Sequence, residues 1–203
     1  MLPRLVLASS SRYRRELLQR LQLPFTCDSP DIDETPLPGE AIDTMTQRLA
    51  LAKARAVAER HAGALVIGSD QACQRDGEMS IVGKSYNFDN AFCQLRASSG
   101  RRVDFHTALV LFDGRSGLHH ASHDIYSVQF RQLTDAEIRR YLEIEQPFDC
   151  AGSFKAEALG ISLFSAMQGK DFHSLIGLPL ISLCELLRQA GLDPLATDAS
   201  VAT

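Results

Sequence analysis

A short apolar run followed by three serines and an arginine-rich segment constrains the fold of this chain most strongly. Leu5–Ala8 has the length and apolarity of a buried strand. The serines that follow are residues that cap helix N-termini by accepting a backbone N–H bond. Leu17, Leu18 and Leu21 then recur at helical spacing. The N-terminal stretch therefore predicts a strand, a serine turn and a helix.

Three arginines, Arg12, Arg14 and Arg15, crowd the first turn of that predicted helix. The N-terminal end of a helix is already positive, so cations there are unfavourable unless an anion binds among them. Serine hydroxyls, free backbone N–H groups and arginines together make a phosphate site. The alternative is a solvated basic turn in which these side chains face water.

The rest of the chain alternates between predicted helices and strands. These elements are a helix over 40–60, strands over 64–69, 103–112 and 118–131, and a last helix from Pro179 to Gly191. The alternation indicates an α/β protein. We expect a single domain over residues 1–192 and a disordered tail over 193–203, where the sequence becomes small and polar.

Charged residues occupy positions in these elements where ligands bind. Asp70 directly follows the strand over 64–69, which residues 72–75 would continue, and ligands of α/β sheets bind at the carboxyl ends of strands. Lys53 lies at the edge of the apolar stripe of the second helix, and Lys84 follows a glycine in a flexible segment. Each position has a structural alternative, because Asp70 would also cap a turn and Lys53 would also extend to solvent.

An acidic loop supplies three carboxylates within four residues, at Asp31, Asp33 and Glu34. Mg²⁺ and Mn²⁺ are hard cations that prefer such oxygen ligands. The alternative is a solvated acidic loop. The chain contains neither a Walker A sequence nor a G-x-G-x-x-G motif. Spacing alone therefore supports a phosphate- and metal-handling α/β enzyme of another kind.

Composition and charge exclude several classes of protein. The net charge of −4 argues against a nucleic-acid-binding surface, which is normally basic. No apolar run approaches the ~20 residues that cross a bilayer, and the N-terminus lacks a signal-peptide pattern. The five cysteines are scattered without a C-x-x-C pair, which indicates neither a disulfide framework nor a zinc site. We therefore expect a cytoplasmic protein with no membrane and no nucleic-acid partner.

Nine short segments form a series along the chain. They cover residues 7–11, 14–15, 31–34, 49–50, 53–54, 68–71, 83–84, 151–155 and 176–179. In order and spacing they resemble the Maf family of nucleoside triphosphate pyrophosphatases, over nearly the whole chain. Within that family the sequence is most similar to the YceF-like 7-methyl-GTP pyrophosphatases. It departs from the pattern where Arg12 replaces a proline, Tyr13 replaces a tryptophan and Ser85 replaces a second proline.

The resemblance implies a mixed α/β sheet flanked by helices, with a nucleotide cleft between two lobes. It also implies attack of water at the α-phosphate, which releases a nucleoside monophosphate and pyrophosphate, with Mg²⁺ or Mn²⁺ as cofactor. We expect the catalytic residues to be Asp70, Lys53 and Lys84, the metal ligands to be Glu34 and Asp70, and the substrate-binding residues to be Ser9, Arg14, Tyr13, Gln71 and Glu157. Asp70 matches the family's proton acceptor.

Three of these residues fall where the family sets base specificity. Tyr13 would stack on the cationic ring of 7-methylguanine, unless it joins the leucines of its helix in the core. Glu157 would accept from two N–H groups of guanine, and would share a face with Lys155 if the segment were extended. Gln71 would donate from its amide to O6 of the base.

Three functions follow as hypotheses. The first is a 7-methyl-GTP pyrophosphatase, the second is a dTTP and UTP pyrophosphatase, and the third is a nucleotide-binding regulator of cell division. The presence of Asp70, Lys53 and Lys84 favours an enzyme, because a pure binding protein needs no base. Asp70 remains either the base or a metal ligand. The expected partner is a small-molecule nucleotide, and a homodimer is a possible assembly.

Overall fold

The computed structural model describes residues 3–78 and 80–196, and within them seven strands and six helices form a mixed sheet with helices on both faces. The strands are β1 Leu5–Ala8, β2 Phe25–Asp28, β3 Leu65–Arg75, β4 Ile81–Val82, β5 Arg102–Asp113, β6 His119–Phe130 and β7 Phe164–Gly169. The helices are α1 Arg12–Gln19, α2 Ile42–Ala58, α3 Phe88–Ser98, α4 Asp135–Glu145, α5 Phe172–Ile176 and α6 Leu180–Gln189, with a 3₁₀ turn at Leu159–Leu163. Of the tail predicted to be disordered, residues 197–203 lie outside the described part.

The strand order confirms the predicted mixed α/β sheet. It is β2-β1-β3-β5-β6-β7, with the short β4 beside the far part of β3. β1 runs parallel to both β2 and β3. The remaining pairs, β3 with β4 and β5, β5 with β6, and β6 with β7, are antiparallel. The strand that begins the predicted strand, serine turn and helix at the N-terminus therefore belongs to the parallel part of the sheet.

Alternate residues of the central strands face opposite sides of the sheet. Leu5 and Leu7 of β1 pack in one core cluster with leucines of α1 and α6. Val6 and Ala8 pack in another with small residues of α2. Strands buried on both faces have apolar side chains at successive positions, which explains why β1 is a continuous apolar run in the sequence.

The long strands β3, β5 and β6 extend beyond β1 and join two regions of core packing. At the β1 end, β3 and β5 contribute to the clusters that α1, α2 and α6 cover. At the far end they contribute Cys73, Phe105, Tyr126 and Phe130 to a cluster that also includes residues of α3 and α4. The two predicted lobes are these two packing regions, and they share the same strands.

A gap in strand pairing separates the two lobes on one edge of β3. That edge pairs with β1 as far as Ile67 and with β4 from Cys73 onward. Between them, residues 68–72 have no strand partner on this edge among the described residues, although β5 pairs with the other edge throughout. The gap opens beside the serine turn that follows β1, and it forms the cleft described below.

One local expectation is wrong: the strand predicted over 64–69 does not end at Asp70 but runs through it to Arg75, so Asp70 lies in mid-strand opposite Ala108. The apolar run stops earlier than the strand because one edge and part of each face open into the cleft. The segment around Lys155 and Glu157 is not extended but consists mainly of turns, so these side chains do not share a strand face.

Capping side chains are present at the N-termini of α1 and α4. Ser11 caps α1 by accepting a bond from the backbone N–H of Arg14. Thr134 and Glu137 form a capping box at the start of α4. In the described part of the chain, no helix combines the length and apolarity needed to cross a bilayer.

Candidate active site

The cleft beside the gap in β3 brings together most of the residues that the sequence singles out. Its larger part, a cavity of about 520 Å³ here named the polar end, is lined by Ser9, Arg14, Glu34, Lys53, Asp70 and Lys84, among others. A smaller part, here named the aromatic end, adjoins it and is lined by Tyr13, Phe105, Cys150, Phe154, Glu157 and Leu175, among others. Gln71 lines both parts.

Lys53 lies at the centre of the polar end. Its Nζ is 2.7 Å from Asp70 Oδ1 and 2.8 Å from Glu34 Oε2. Lys53 and Asp70 are buried, with 5% and 6% of their surface exposed. Lys53 projects from α2 toward the face of β3 that carries Asp70, so it reaches into the cleft and does not extend to solvent. Buried charges are tolerable only when paired, and Lys53 pairs with both carboxylates.

The acidic loop is anchored so that only one of its three carboxylates reaches this cluster. Arg48 forms a bidentate pair with Glu40, at 2.6 and 2.7 Å, and also donates to the carbonyl of Thr35. These hydrogen bonds to Arg48 lower the pKa of Glu40 to about 2. Asp33 accepts from the backbone and hydroxyl of Thr35, which leaves Glu34 as the residue that contacts Lys53.

The carboxylates of Glu34 and Asp70 supply part of the ligand set that a hard cation requires. Lys53 takes one oxygen of each, and the other oxygens, Glu34 Oε1 and Asp70 Oδ2, form no hydrogen bond within residues 3–78 and 80–196. No cluster of three or more His, Cys, Asp or Glu side chains with metal-binding geometry occurs in these residues. Two carboxylate oxygens are a common protein contribution to a Mg²⁺ site, because substrate phosphates and water complete the shell.

The serine turn and Arg14 form the wall of the polar end opposite Lys53. Ser9 Oγ accepts from the backbone N–H of Ser11 at 3.0 Å. Arg14 donates through Nε to the carbonyl of Gly177 at 2.9 Å, which leaves its terminal amino groups available. Burial lowers the pKa of Arg14, and the charges of Asp70 and Glu34 partly offset that effect. Arg14 is thus a partly buried cation facing a cleft, whereas Arg15 is exposed on the outer surface.

Lys84 enters the cleft from the other lobe. It is exposed, and its backbone forms an antiparallel bridge with Ala151. Its ammonium group makes no hydrogen bond or ion pair with the described part of the chain. Lys84 therefore remains available for an anionic ligand between the two lobes.

Tyr13 lies at the mouth of the aromatic end and not in the core. Its hydroxyl is 3.4 Å from Asp149 Oδ2 and 3.8 Å from Cys150 Sγ. Burial, followed by the nearby Cys150, raises the pKa of Tyr13, and burial raises the pKa of Cys150 to about 12. Both shifts favour the protonated, uncharged forms of these groups near neutral pH. The exposed Glu157 lines the same part of the cleft.

The hydrogen bonds of Gln71 differ from the expectation that its amide nitrogen donates to the base. Its amide nitrogen donates to Ser174 O at 2.6 Å, to Thr107 Oγ1 at 3.0 Å and to Leu175 O at 3.1 Å. The donor that the sequence reserves for O6 of the base is therefore already used inside the protein. The partners come from β5 and α5, which lie far from Gln71 in sequence.

Two groups that hold this site together, the carbonyl of Gly177 and the hydroxyl of Thr107, are not predicted from the sequence. The carbonyl of Gly177 accepts from both Arg14 and Ser69, each at 2.9 Å, and so links α1, β3 and the end of α5. Thr107 is a fully buried polar residue within the apolar strand β5. Gly177 does lie within one of the segments that resemble the family, whereas nothing in the sequence marks Thr107.

Comparison with known proteins places the whole chain in one family. The family model described as Maf-like protein matches residues 4–190. The chain is 54% identical over 194 residues to a 7-methyl-GTP pyrophosphatase of Bordetella pertussis, covering 95% of each sequence. It is 49% identical over 188 residues to one of Hydrogenovibrio crunogenus, covering 93% of each, and 52% identical over 205 residues to one of Burkholderia thailandensis, covering 99% of this chain and 94% of that one. With a match that spans nearly all of its length and relatives at this level of identity, the chain belongs to the Maf family.

Proposed function

We propose that this protein is a nucleoside triphosphate pyrophosphatase that hydrolyses 7-methyl-GTP to 7-methyl-GMP and pyrophosphate. The observation that carries the proposal is the convergence of Lys53, Asp70, Glu34 and Arg14 at a polar cleft that continues into an aromatic pocket. Such a cleft fits a ligand with an anionic chain at one end and a flat ring at the other. The names of the relatives support the choice of 7-methyl-GTP.

The cations of the polar end would bind the triphosphate. Arg14 and Lys84 approach the cleft from opposite lobes and would neutralise the phosphates, while Ser9 and the N-terminus of α1 would add hydrogen-bond donors. Preorganised charges of this kind lower the barrier most where negative charge develops, which here is on the leaving pyrophosphate. Arg14 is already held in place by its hydrogen bond to the carbonyl of Gly177.

Asp70 is our candidate for the proton acceptor. Lys53 holds Oδ1, so Oδ2 remains to accept a proton from a water molecule. The water oxygen would form a bond to the α-phosphorus, and the bond from that phosphorus to the oxygen bridging the α- and β-phosphates would break. The electron pair would leave with pyrophosphate, and the water proton would pass to Asp70.

A divalent cation, Mg²⁺ or Mn²⁺, fits this site as the proposed cofactor. Glu34 Oε1 would hold it together with phosphate oxygens and, in the alternative in which Asp70 is a metal ligand and not the base, with Asp70 Oδ2. When bound, a cation of this kind supplies charge neutralisation and alignment of the phosphates. Lys53 would keep both carboxylates turned toward the cleft.

Recognition of the base belongs to the aromatic end. Tyr13 would stack on the cationic ring of 7-methylguanine, and Glu157 would accept from its N–H groups. All five cysteines are free thiols, which supports our further proposal that the reaction takes place in a reducing cytoplasm.

A panel of triphosphates tests the proposed substrate. The purified protein is assayed with 7-methyl-GTP, GTP, UTP and dTTP in the presence of Mg²⁺ or Mn²⁺. We expect the highest kcat/KM for 7-methyl-GTP. A preference for UTP or dTTP would replace the proposal with the pyrimidine-specific activity, and no hydrolysis of any of the four would favour a nucleotide-binding regulator.

A further inference from the structure

The amide group of Gln71 is held by three acceptors at the boundary between the two parts of the cleft. These are the hydroxyl of Thr107 and the carbonyls of Ser174 and Leu175, all within 3.1 Å of Gln71 Nε2. Gln71 is partly buried, and Thr107 is fully buried. The opposite atom, Gln71 Oε1, forms no hydrogen bond within the described residues.

The directions of these hydrogen bonds leave one orientation for the amide. The hydroxyl of Thr107 donates its single hydrogen to Ser174 O, at 2.9 Å, so it can only accept from Gln71. The two carbonyl oxygens can also only accept. Turning the amide over would place Oε1 against two carbonyl oxygens and leave the NH₂ group without these partners, which is unfavourable at a partly buried site.

The helix α5, which carries two of the three acceptors of the Gln71 amide, is itself fixed by hydrogen bonds. The buried carboxylate of Asp171 caps α5 through the backbone N–H of His173 and also accepts from the backbone N–H of Ile181 in α6. Asp171 thus fixes the start of both helices. The carbonyls of Ser174 and Leu175 near the end of α5 therefore face Gln71 in a fixed place.

We infer that Thr107 is a positioning residue for base recognition, which acts by holding Gln71 so that it presents only an acceptor, Oε1, to the base. This inference rests on the proposed function, since it takes the aromatic end as the base pocket. Gln71 then selects for a base that offers an N–H group at this point, as the amino and ring N–H groups of guanine do. O6 of guanine, an acceptor, is excluded as its partner.

Four variants test this role: Thr107→Val, Thr107→Ser, Gln71→Met and the double variant Thr107→Val with Gln71→Met. The measured quantity is the ratio of kcat/KM for 7-methyl-GTP to kcat/KM for UTP. This ratio does not depend on the fraction of folded enzyme, because partly unfolded protein lowers both values equally. Melting temperatures are recorded in parallel, and Thr107→Ala replaces Thr107→Val if the latter does not fold.

We expect Thr107→Val to change the ratio about 3- to 10-fold, the effect of one hydrogen bond, mainly through KM. Thr107→Ser keeps the hydroxyl and should stay close to the wild type. In the Gln71→Met background, Thr107→Val should have no further effect on the ratio, because the residue through which it acts is absent.

Two results would overturn the inference. One is an unchanged ratio in Thr107→Val although Gln71→Met changes it. The other is an effect of Thr107→Val that persists in full when Gln71 is absent, which would indicate a general effect on packing. A wild-type preference for UTP would refute the proposed substrate instead, and the comparison among variants would still report on Thr107.

Discussion

Lys53 Nζ and Asp70 Oδ1 lie 2.7 Å apart, in a pair whose side chains are both more than nine-tenths buried. Removing one partner of a buried pair leaves an unpaired charge, which is costly, whereas an isosteric neutral group preserves the shape. This pair joins α2 to β3 and turns Asp70 toward the cleft. Its position makes Asp70 the most informative residue for the chemistry.

Asp70→Asn should retain the fold but lose most of its turnover. Asparagine can accept a hydrogen bond from Lys53 but cannot accept a proton from water, and loss of a general base typically costs ~10²–10⁴-fold in kcat. Steady-state kinetics with 7-methyl-GTP measure the loss, and circular dichroism checks the fold. Asp76→Asn, in the exposed turn after β3, is the matched control and should behave as the wild type. A kcat within threefold of wild type would rule out Asp70 as the base.

Arg14→Ala should reduce kcat/KM about 10²–10³-fold, as expected for loss of a preorganised charge near the phosphates. Arg15→Ala, on the same helix but exposed outside the cleft, should have little effect. The sequence suggests a gain in stability for Arg14→Ala, since it removes a cation from a helix N-terminus. The hydrogen bond from Arg14 to Gly177 opposes that gain. Equal activity of both variants would show that Arg14 does not contact substrate.

Tyr13→Ala should raise KM for 7-methyl-GTP more than KM for GTP. A cation–π contact contributes roughly 0.5–2 kcal/mol, which corresponds to about a 2- to 30-fold change in KM, and only the methylated ring is cationic. Tyr86→Ala is the control, because Tyr86 is 77% exposed and does not line the cleft. An equal rise in both KM values would argue against stacking on a cationic ring.

The histidine pair on β5 and β6 predicts a loss of stability in acid. Burial, followed by the neighbouring His123, lowers the pKa of His106, and its Nδ1 is buried without a hydrogen-bond partner in the described residues. An unfolded histidine takes up a proton near pH 6.5, so below that pH the unfolded state binds more protons than the native state. The contribution of His106 to stability is therefore full above about pH 6.5 and decreases as the pH falls.

Urea denaturation at pH 7.5, 6.5 and 5.5 measures this dependence. His106→Gln should flatten the decline in the free energy of unfolding between pH 6.5 and 5.5. The exposed His120, replaced by glutamine, provides the control and should leave the decline unchanged. An identical decline in the wild type and in His106→Gln would contradict the assignment.

Much of the fold follows from local patterns in the sequence. Leu5–Ala8 is apolar because both faces of β1 are covered, and the serine turn and the capping box at Thr134 depend on nearest neighbours alone. The continuity of β3 through Asp70 and Gln71 does not follow in this way. These two residues remain in the strand because β5 pairs with them, and pairing with a distant strand leaves no local signal.

The candidate site also combines features that the sequence predicts with features that depend on tertiary packing. The positions of Asp70, Lys53 and Glu34 are marked in the sequence, but their mutual distances depend on how α2 and the acidic loop pack on the sheet. The orientation of Gln71 depends on carbonyl groups more than 100 positions away in the chain. A backbone carbonyl has no residue type, so no pattern of side chains could predict that the amide donor is already occupied.

The proposed mechanism is tested by determining which phosphorus atom of 7-methyl-GTP is attacked by water. The wild-type enzyme is allowed to hydrolyse 7-methyl-GTP in ¹⁸O-labelled water, and the products are analysed by mass spectrometry. Attack of water at the α-phosphorus predicts one ¹⁸O atom in the phosphate of 7-methyl-GMP and unlabelled pyrophosphate. Labelled pyrophosphate, or release of orthophosphate with 7-methyl-GDP, would contradict attack at the α-phosphorus.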